Sequence, residues 1–333
     1  MRVFLTHNLE DLDAYYGRAL PELEAIATVV TNPLDRDLTT AEMIDAAGDC
    51  DVVVAHRATP GDPEVFAQLP GLVAFLRTAV DISTIDVDAA SRHGVLVARA
   101  DKSFQASTAE LALGLLLDLA RNISESAVDY RRGEEPPQRP GIELRGRAAG
   151  IVGYGTIGTY LAGLLRALGM RVLVADPHVD ADAIAAAGCE PVAFEELLRA
   201  ADVVFPLAPA TPETENLVDA VALAAMRPGT LLVNVSRGEL LDEQAVAAAL
   251  DAGHLGGLAM DVGRAPDQRP SPDLARRPRV VATPHLGGLT PANADAQALS
   301  SVEQVAAILA GVMPPRAVNP DAATRLRAWW DRR

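Results

Sequence analysis

The chain of 333 residues is long enough for two compact cores, and its formal net charge of −16, with no run of lysine or arginine, excludes nucleic acid as an expected partner. Cys50 and Cys189 stand in separate segments without metal-ligand spacing, so neither a disulfide framework nor a bound metal is expected. The opening MRVFLTHNLE has no apolar signal region, and the longest apolar run, Leu111–Ala120, is interrupted by Asp118 and too short for a bilayer, which together read as a cytoplasmic protein with no membrane partner.

Short valine-rich runs at Val3–Leu5, Asp51–Ala55, Leu72–Leu76 and Val95–Val97 predict strands, separated by helical periodicity such as TTAEMIDAAG. The first hundred residues therefore read as βαβ repeats. Ser103–Arg121 predicts a long amphipathic helix, followed by RRGEEPPQRPG, a charged, proline-rich loop. A second alternation follows, with strand candidates in AAGIVGY, RVLVADP, ADVVFPLA, TLLVNVS, GLAMDV and RVVATPH. Strands alternating with helices imply parallel sheets covered on both faces, an α/β fold.

In GIVGYGTIGTYLAGLLRALG, Gly153, Gly155 and Gly158 form G-x-G-x-x-G between a strand and a helix. The first glycine permits a tight turn, the second lets the backbone approach a pyrophosphate, and the third lets helix and strand pack closely. Asp176 ends the next strand, where a carboxylate accepts from an adenosine ribose and repels a 2′-phosphate, so NAD is expected rather than NADP. Ser236-Arg237-Gly238 follows a later strand, at the end of an open sheet where ligands bind. Arg237 either grips a planar carboxylate or pairs with nearby Glu239 or Asp242. His285, between Pro284 and a diglycine, is placed for proton transfer, whereas His7, His56, His93 and His254 read as surface or loop residues.

These pieces in this order resemble the D-isomer-specific 2-hydroxyacid dehydrogenases, the family of phosphoglycerate dehydrogenase. The resemblance is carried by ELALGLLLDLAR, LRGRAAGIVGYGTIG, ADVVFPLAPATPET, VNVSRGELLDE, LAMDV, TPHLGG and AVNP, which cover most of the chain. It implies a doubly wound Rossmann NAD-binding domain, residues 101–291, inserted in a flavodoxin-like α/β substrate domain, residues 1–100 plus 292–333. It implies hydride transfer between the nicotinamide and a 2-hydroxy acid/2-oxo acid pair, in a homodimer. By carry-over Thr156 and Ile157 line the pyrophosphate turn, Ala208, Val235, Ser236 and Gly287 lie along the cofactor, and Asp261 accepts from the nicotinamide amide. Arg237 would orient the substrate, and His285 would take the hydroxyl proton.

Two departures stand out. Family members usually carry a glutamate that favours the protonated histidine, at the position here occupied by Pro266; Asp267, one step out of register, either replaces it or faces solvent. The family's glycine-rich substrate turn appears as TAVDISTID, so that Ala79, Val80 and Asp81 would meet the substrate with an acid among them. The substrate-side changes point to a substrate other than the family's common one. The alternative is an NAD-binding regulatory protein of the same fold with weakened catalysis, against which Arg237 and His285 argue, since a sensor needs neither.

Overall fold

The computed structural model describes residues 1–265 and 267–333; Pro266 lies outside the described residues, and with it the position of the family's glutamate. The chain forms two compact units, one from Met1–Ser103 with Thr290–Arg333, the other from Phe104–Leu289.

The first unit is built on five parallel strands, β1 (Arg2–Leu5), β2 (Thr28–Thr31), β3 (Val52–Ala55), β4 (Ala74–Arg77) and β5 (Leu96–Arg99), in the order β2-β1-β3-β4-β5. This is the flavodoxin-like order. Because side chains alternate across a strand, each strand feeds two cores. Phe4, Val53, Phe75 and Val97 pack on one face, and Val3, Leu5, Val54, Leu76 and Leu96 on the other. The second face is closed by the returning helix Pro291–Leu309 through Val302, Val305 and Ile308, each stabilising by about 1.5–3 kcal/mol relative to exposure. Tyr16 and Ser301 share a buried hydrogen bond of 2.7 Å, and Gln304 Nε2 donates to the Arg99 carbonyl at 2.7 Å.

The edge strand β2 is absent from the apolar runs of the sequence because Thr28 and Thr31 are exposed and its two valines only half-buried. The TTAEMIDAAG segment is the helix Thr40–Ala47, started by a reciprocal capping box between Thr39 and Glu42. His7 and His56 lie in loops, one of the two settings expected of them, but neither is exposed at the surface. His7 is 2% exposed, and burial, together with His56 and Arg77, pushes its pKa down to about 3. The His56 side chain is mostly buried, 3.6 Å from Asp11, and burial lowers its pKa despite Asp11 and Asp37 nearby.

The second unit carries seven parallel strands: β6 (Ala148–Val152), β7 (Arg171–Ala175), β8 (Glu190–Pro191), β9 (Val203–Pro206), β10 (Thr230–Asn234), β11 (Leu255–Met260) and β12 (Val280–Ala282). Their order, β12-β11-β10-β9-β6-β7-β8, is the doubly wound Rossmann arrangement with one further strand at the β12 edge. Ile151, Val174, Phe205 and Val233 face the helices Gln105–Arg121 and Thr156–Ala167, while Val152, Leu173, Val204, Leu232 and Leu258 fill the opposite face. Pro191 is tolerated in β8 because an edge strand has one unpaired side.

Candidate active site

All the candidate cofactor residues lie in the second unit, and most follow the carboxyl ends of its strands. The strand order reverses between β6 and β9, and crevices at such switch points receive ligands in open α/β sheets. Gly153 leaves β6 with φ +98°, and a Cβ there would stand 2.7 Å from the Ala208 amide nitrogen, just beyond β9. Gly158 passes under the turn, where a Cβ would meet the Gly153 carbonyl oxygen at 2.4 Å. Neither position has room for a side chain. Gly155 differs: nothing lies within 4 Å of its would-be Cβ, and it heads the Thr156–Ala167 helix without a side-chain cap. Exposed Gly155 and Thr156 and half-buried Ile157 thus leave a helix N-terminus open beside empty space, which is the fit a pyrophosphate needs.

Asp176 follows β7, half-buried, and accepts the Tyr154 amide on Oδ2 at 2.7 Å and the His178 amide on Oδ1 at 2.8 Å. It therefore fixes the glycine turn and retains lone pairs for a ribose. Burial and the Cys189 thiol push the neighbouring Tyr154 phenol up to about 12, so it stays neutral.

Ser236 and Arg237 form the corner after β10. Fully buried Asn234 holds it, accepting the Ser236 amide at 3.1 Å and donating to the Arg237 carbonyl at 2.8 Å. Ser236 Oγ donates to the Ala208 carbonyl at 3.1 Å, tying that corner to the segment after β9; Val235 is buried between them in sequence. Arg237 Nη1 donates to the Ser236 carbonyl at 2.8 Å, and among the described residues no carboxylate pairs with it. Asp242 instead caps the helix Glu243–Asp251, and Glu239 Oε2 is buried without a partner. The ion-pair alternative for Arg237 is thereby set aside.

Asp261 ends β11, fully buried. Its Oδ1 accepts the Thr283 hydroxyl at 2.6 Å and the Leu286 amide at 2.7 Å, and its Oδ2 accepts the Gly287 amide at 2.7 Å. Its carbonyl accepts the His285 amide at 2.9 Å. His285 has φ +62°, uncommon for a residue with a side chain and worth explaining at a functional site. Asp267, in contrast, accepts the Arg269 amide at 3.1 Å and sits 3.4 Å from the Arg269 guanidinium, with its side chain 57% exposed. Its carboxylate pairs with Arg269 at the surface, the solvent-facing one of the two settings the sequence leaves open for it.

In the first unit, the Ala79–Asp81 turn follows β4. None of the three has a positive φ, so the turn does not need the family's glycines. Asp81 is exposed and caps the Ser83 amide at 2.9 Å. Fully buried Arg77 donates to the His56 and Thr59 carbonyls and to Thr84 Oγ1, joining the loop after β3 to the far side of the turn; burial lowers its pKa to about 10.

Asn234 and Thr283 were not among the candidate residues of the sequence. The available signal is a polar residue closing, or just following, an otherwise apolar strand, as Asn234 closes TLLVN and Thr283 follows RVVA.

The family model for the D-isomer specific 2-hydroxyacid dehydrogenase NAD-binding domain matches residues 113–287. The chain is 38% identical over 281 residues to a D-3-phosphoglycerate dehydrogenase of Mycobacterium leprae, covering 84% of this chain and 53% of that protein. It thus spans about half the length of the curated relatives it matches. Among solved structures, the TT0316 protein of Thermus thermophilus superposes with a TM-score of 0.82 at 32% identity, covering 96% of this chain and 100% of that one. The apo D-lactate dehydrogenase of Escherichia coli gives a TM-score of 0.82 at 26% identity, with 96% and 100% covered. The chain belongs to the D-isomer specific 2-hydroxyacid dehydrogenase family, and its central unit is that family's NAD-binding domain.

Proposed function

We propose that the protein is an NAD-dependent oxidoreductase interconverting a 2-hydroxy acid and a 2-oxo acid. The observation that carries this is Arg237: a half-buried guanidinium at the carboxyl end of a sheet, with no carboxylate of its own among the described residues. Such a group is an unfilled fork for a substrate carboxylate.

NAD, when bound, supplies the acceptor for the hydride in oxidation and its donor in reduction. Gly153, Gly155, Thr156, Ile157 and Gly158 would receive the pyrophosphate, Asp176 the ribose, and Ala208, Val235, Ser236, Asp261 and Gly287 would line the rest of the dinucleotide. Arg237 orients the substrate carboxylate and the 2-oxygen. His285 takes the hydroxyl proton as the hydride leaves C2, and in the reverse direction returns a proton to the 2-oxo oxygen. The Ala79–Asp81 turn contacts the remainder of the substrate, with Asp81 favouring one that carries a hydroxyl, an amine or a cation there.

The protein is further read as a cytoplasmic homodimer. Two free, buried cysteines fit a reducing compartment, and Ile123, Val128 and Tyr130 present exposed apolar surface on the helix Ile123–Arg131. No helix among the described residues is long and apolar enough to cross a membrane.

The deciding experiment incubates purified protein with NADH and a panel of 2-oxo acids while following absorbance of the reduced nicotinamide. Consumption of NADH with at least one acid, abolished by His285→Ala, supports the assignment. NADH binding without turnover of any acid would favour the regulatory alternative.

A further inference from the structure

We infer that Thr283 and Asp261 are a positioning pair for His285 and set the place of the proton-transfer group. The inference rests on the dehydrogenase reading for its kinetic consequence and on geometry alone for the brace itself.

A carboxylate that is fully buried must be satisfied by donors. Asp261 finds its donors in one short stretch: the Thr283 hydroxyl and the Leu286 and Gly287 amides reach its carboxylate, and the His285 amide reaches its carbonyl. Four donors from positions 283–287 therefore converge on one residue at the end of β11. Between them His285 is held at φ +62°, a conformation that a free chain would rarely give a non-glycine residue. The bonds on either side of it supply the constraint.

Thr283 is the side-chain member of this brace. Its hydroxyl has a single proton and spends it on Oδ1, which fixes the rotation of the carboxylate so that Oδ2 meets the Gly287 amide. Three of roughly four acceptor directions are then occupied, leaving about one for a cofactor amide. Asp267 is not among the donors and acceptors of this brace; its carboxylate contacts Arg269. Neither Thr283 nor Asp261 moves a proton; they act through the loop backbone.

The test uses Thr283→Val, which keeps the branched shape and removes the donor, and Thr283→Ser, which restores it, both in the full chain. In Thr283→Val, amide exchange at Leu286 and Gly287 should accelerate about tenfold or more, because the carboxylate is no longer held in register. With an active 2-oxo acid and saturating NADH, kcat should fall about 10–100-fold with little change in KM for the acid. Thr283→Ser should recover both the exchange rates and kcat. A merely structural threonine would lower the unfolding midpoint without singling out kcat. Wild-type exchange at both amides in Thr283→Val would overturn the brace, as would Thr283→Ser being as impaired as Thr283→Val. Were the wild type to reduce none of the acids, the dehydrogenase reading would fail while the exchange measurement still decided the brace.

Discussion

The amide of Tyr154, in the middle of the glycine turn, donates to Asp176 Oδ2 at 2.7 Å. One carboxylate thus holds the pyrophosphate turn in shape and offers its remaining lone pairs at the ribose position. A 2′-phosphate brought against it meets a repulsion of about 1–4 kcal/mol at 4 Å, depending on the local dielectric. By calorimetry NADH should bind at least about tenfold more tightly than NADPH. Asp176→Ala should weaken NADH and narrow the difference. Equal affinities in the wild type would remove the assignment of Asp176.

Among the described residues the Arg237 guanidinium donates only to its own neighbouring carbonyl, and a lysine in its place would keep the charge and lose the planar fork. Arg237→Lys should lower kcat/KM about 100-fold, because a misplaced substrate loses orientation at the reacting carbon. NADH affinity should not change. A variant that turns over normally would show that the substrate carboxylate is held elsewhere.

His285→Ala and Asp267→Asn should behave in opposite ways. Loss of a general acid–base group costs about 10²–10⁴-fold in rate, and His285→Ala should fall in that range. Asp267→Asn should keep the wild-type rate and pH profile, since the carboxylate faces Arg269 at the surface. A shifted pH optimum in Asp267→Asn would reinstate it as the partner of His285.

His7 gives the first unit an acid sensitivity. Its folded pKa of about 3 lies below the ordinary 6.5, so the unfolded chain binds the proton first as pH falls. The stability involved is fully present above pH 6.5 and is lost as pH drops from there towards 3, at up to about 1.4 kcal/mol per pH unit. In urea titrations His7→Gln should show a shallower loss between about pH 6.5 and 4 than the wild type. Parallel slopes would mean that the histidine is accommodated charged.

The parts of the molecule legible in its sequence are those whose reason is local. Gly153 and Gly158 announce a tight turn because the backbone there admits no side chain, and the valine runs announce buried parallel strands because both faces of each are covered. The edge strands Thr28–Thr31 and Glu190–Pro191 escape notice because partial exposure leaves them without an apolar signature. Nothing in the sequence marks the loop residue His7 as buried, because Tyr16, His56 and Arg77 close around it from distant segments. Whether Asp267 faces a histidine or solvent is not written in its neighbours; the fold sets it beside Arg269, two residues on. Asp261 can be found from the sequence as an acid ending a strand, but which donors fill its carboxylate depends on how the segment from Thr283 to Gly287 folds back over it.

The helix Pro291–Leu309 closes one face of the sheet made by the first hundred residues. During synthesis, the residues from Met1 to Ser103 therefore leave the ribosome with the face of Val3, Leu5, Val54 and Leu76 covered in part by Tyr16, Ala19 and Leu23, and lack the rest of its cover until the whole of the Phe104–Leu289 unit has been made. The segment translated in the middle can complete its own core first, while the segment translated first must wait for the segment translated last. That interval exposes an apolar sheet face to other nascent chains, and it makes the opening third of the polypeptide a natural client for chaperones.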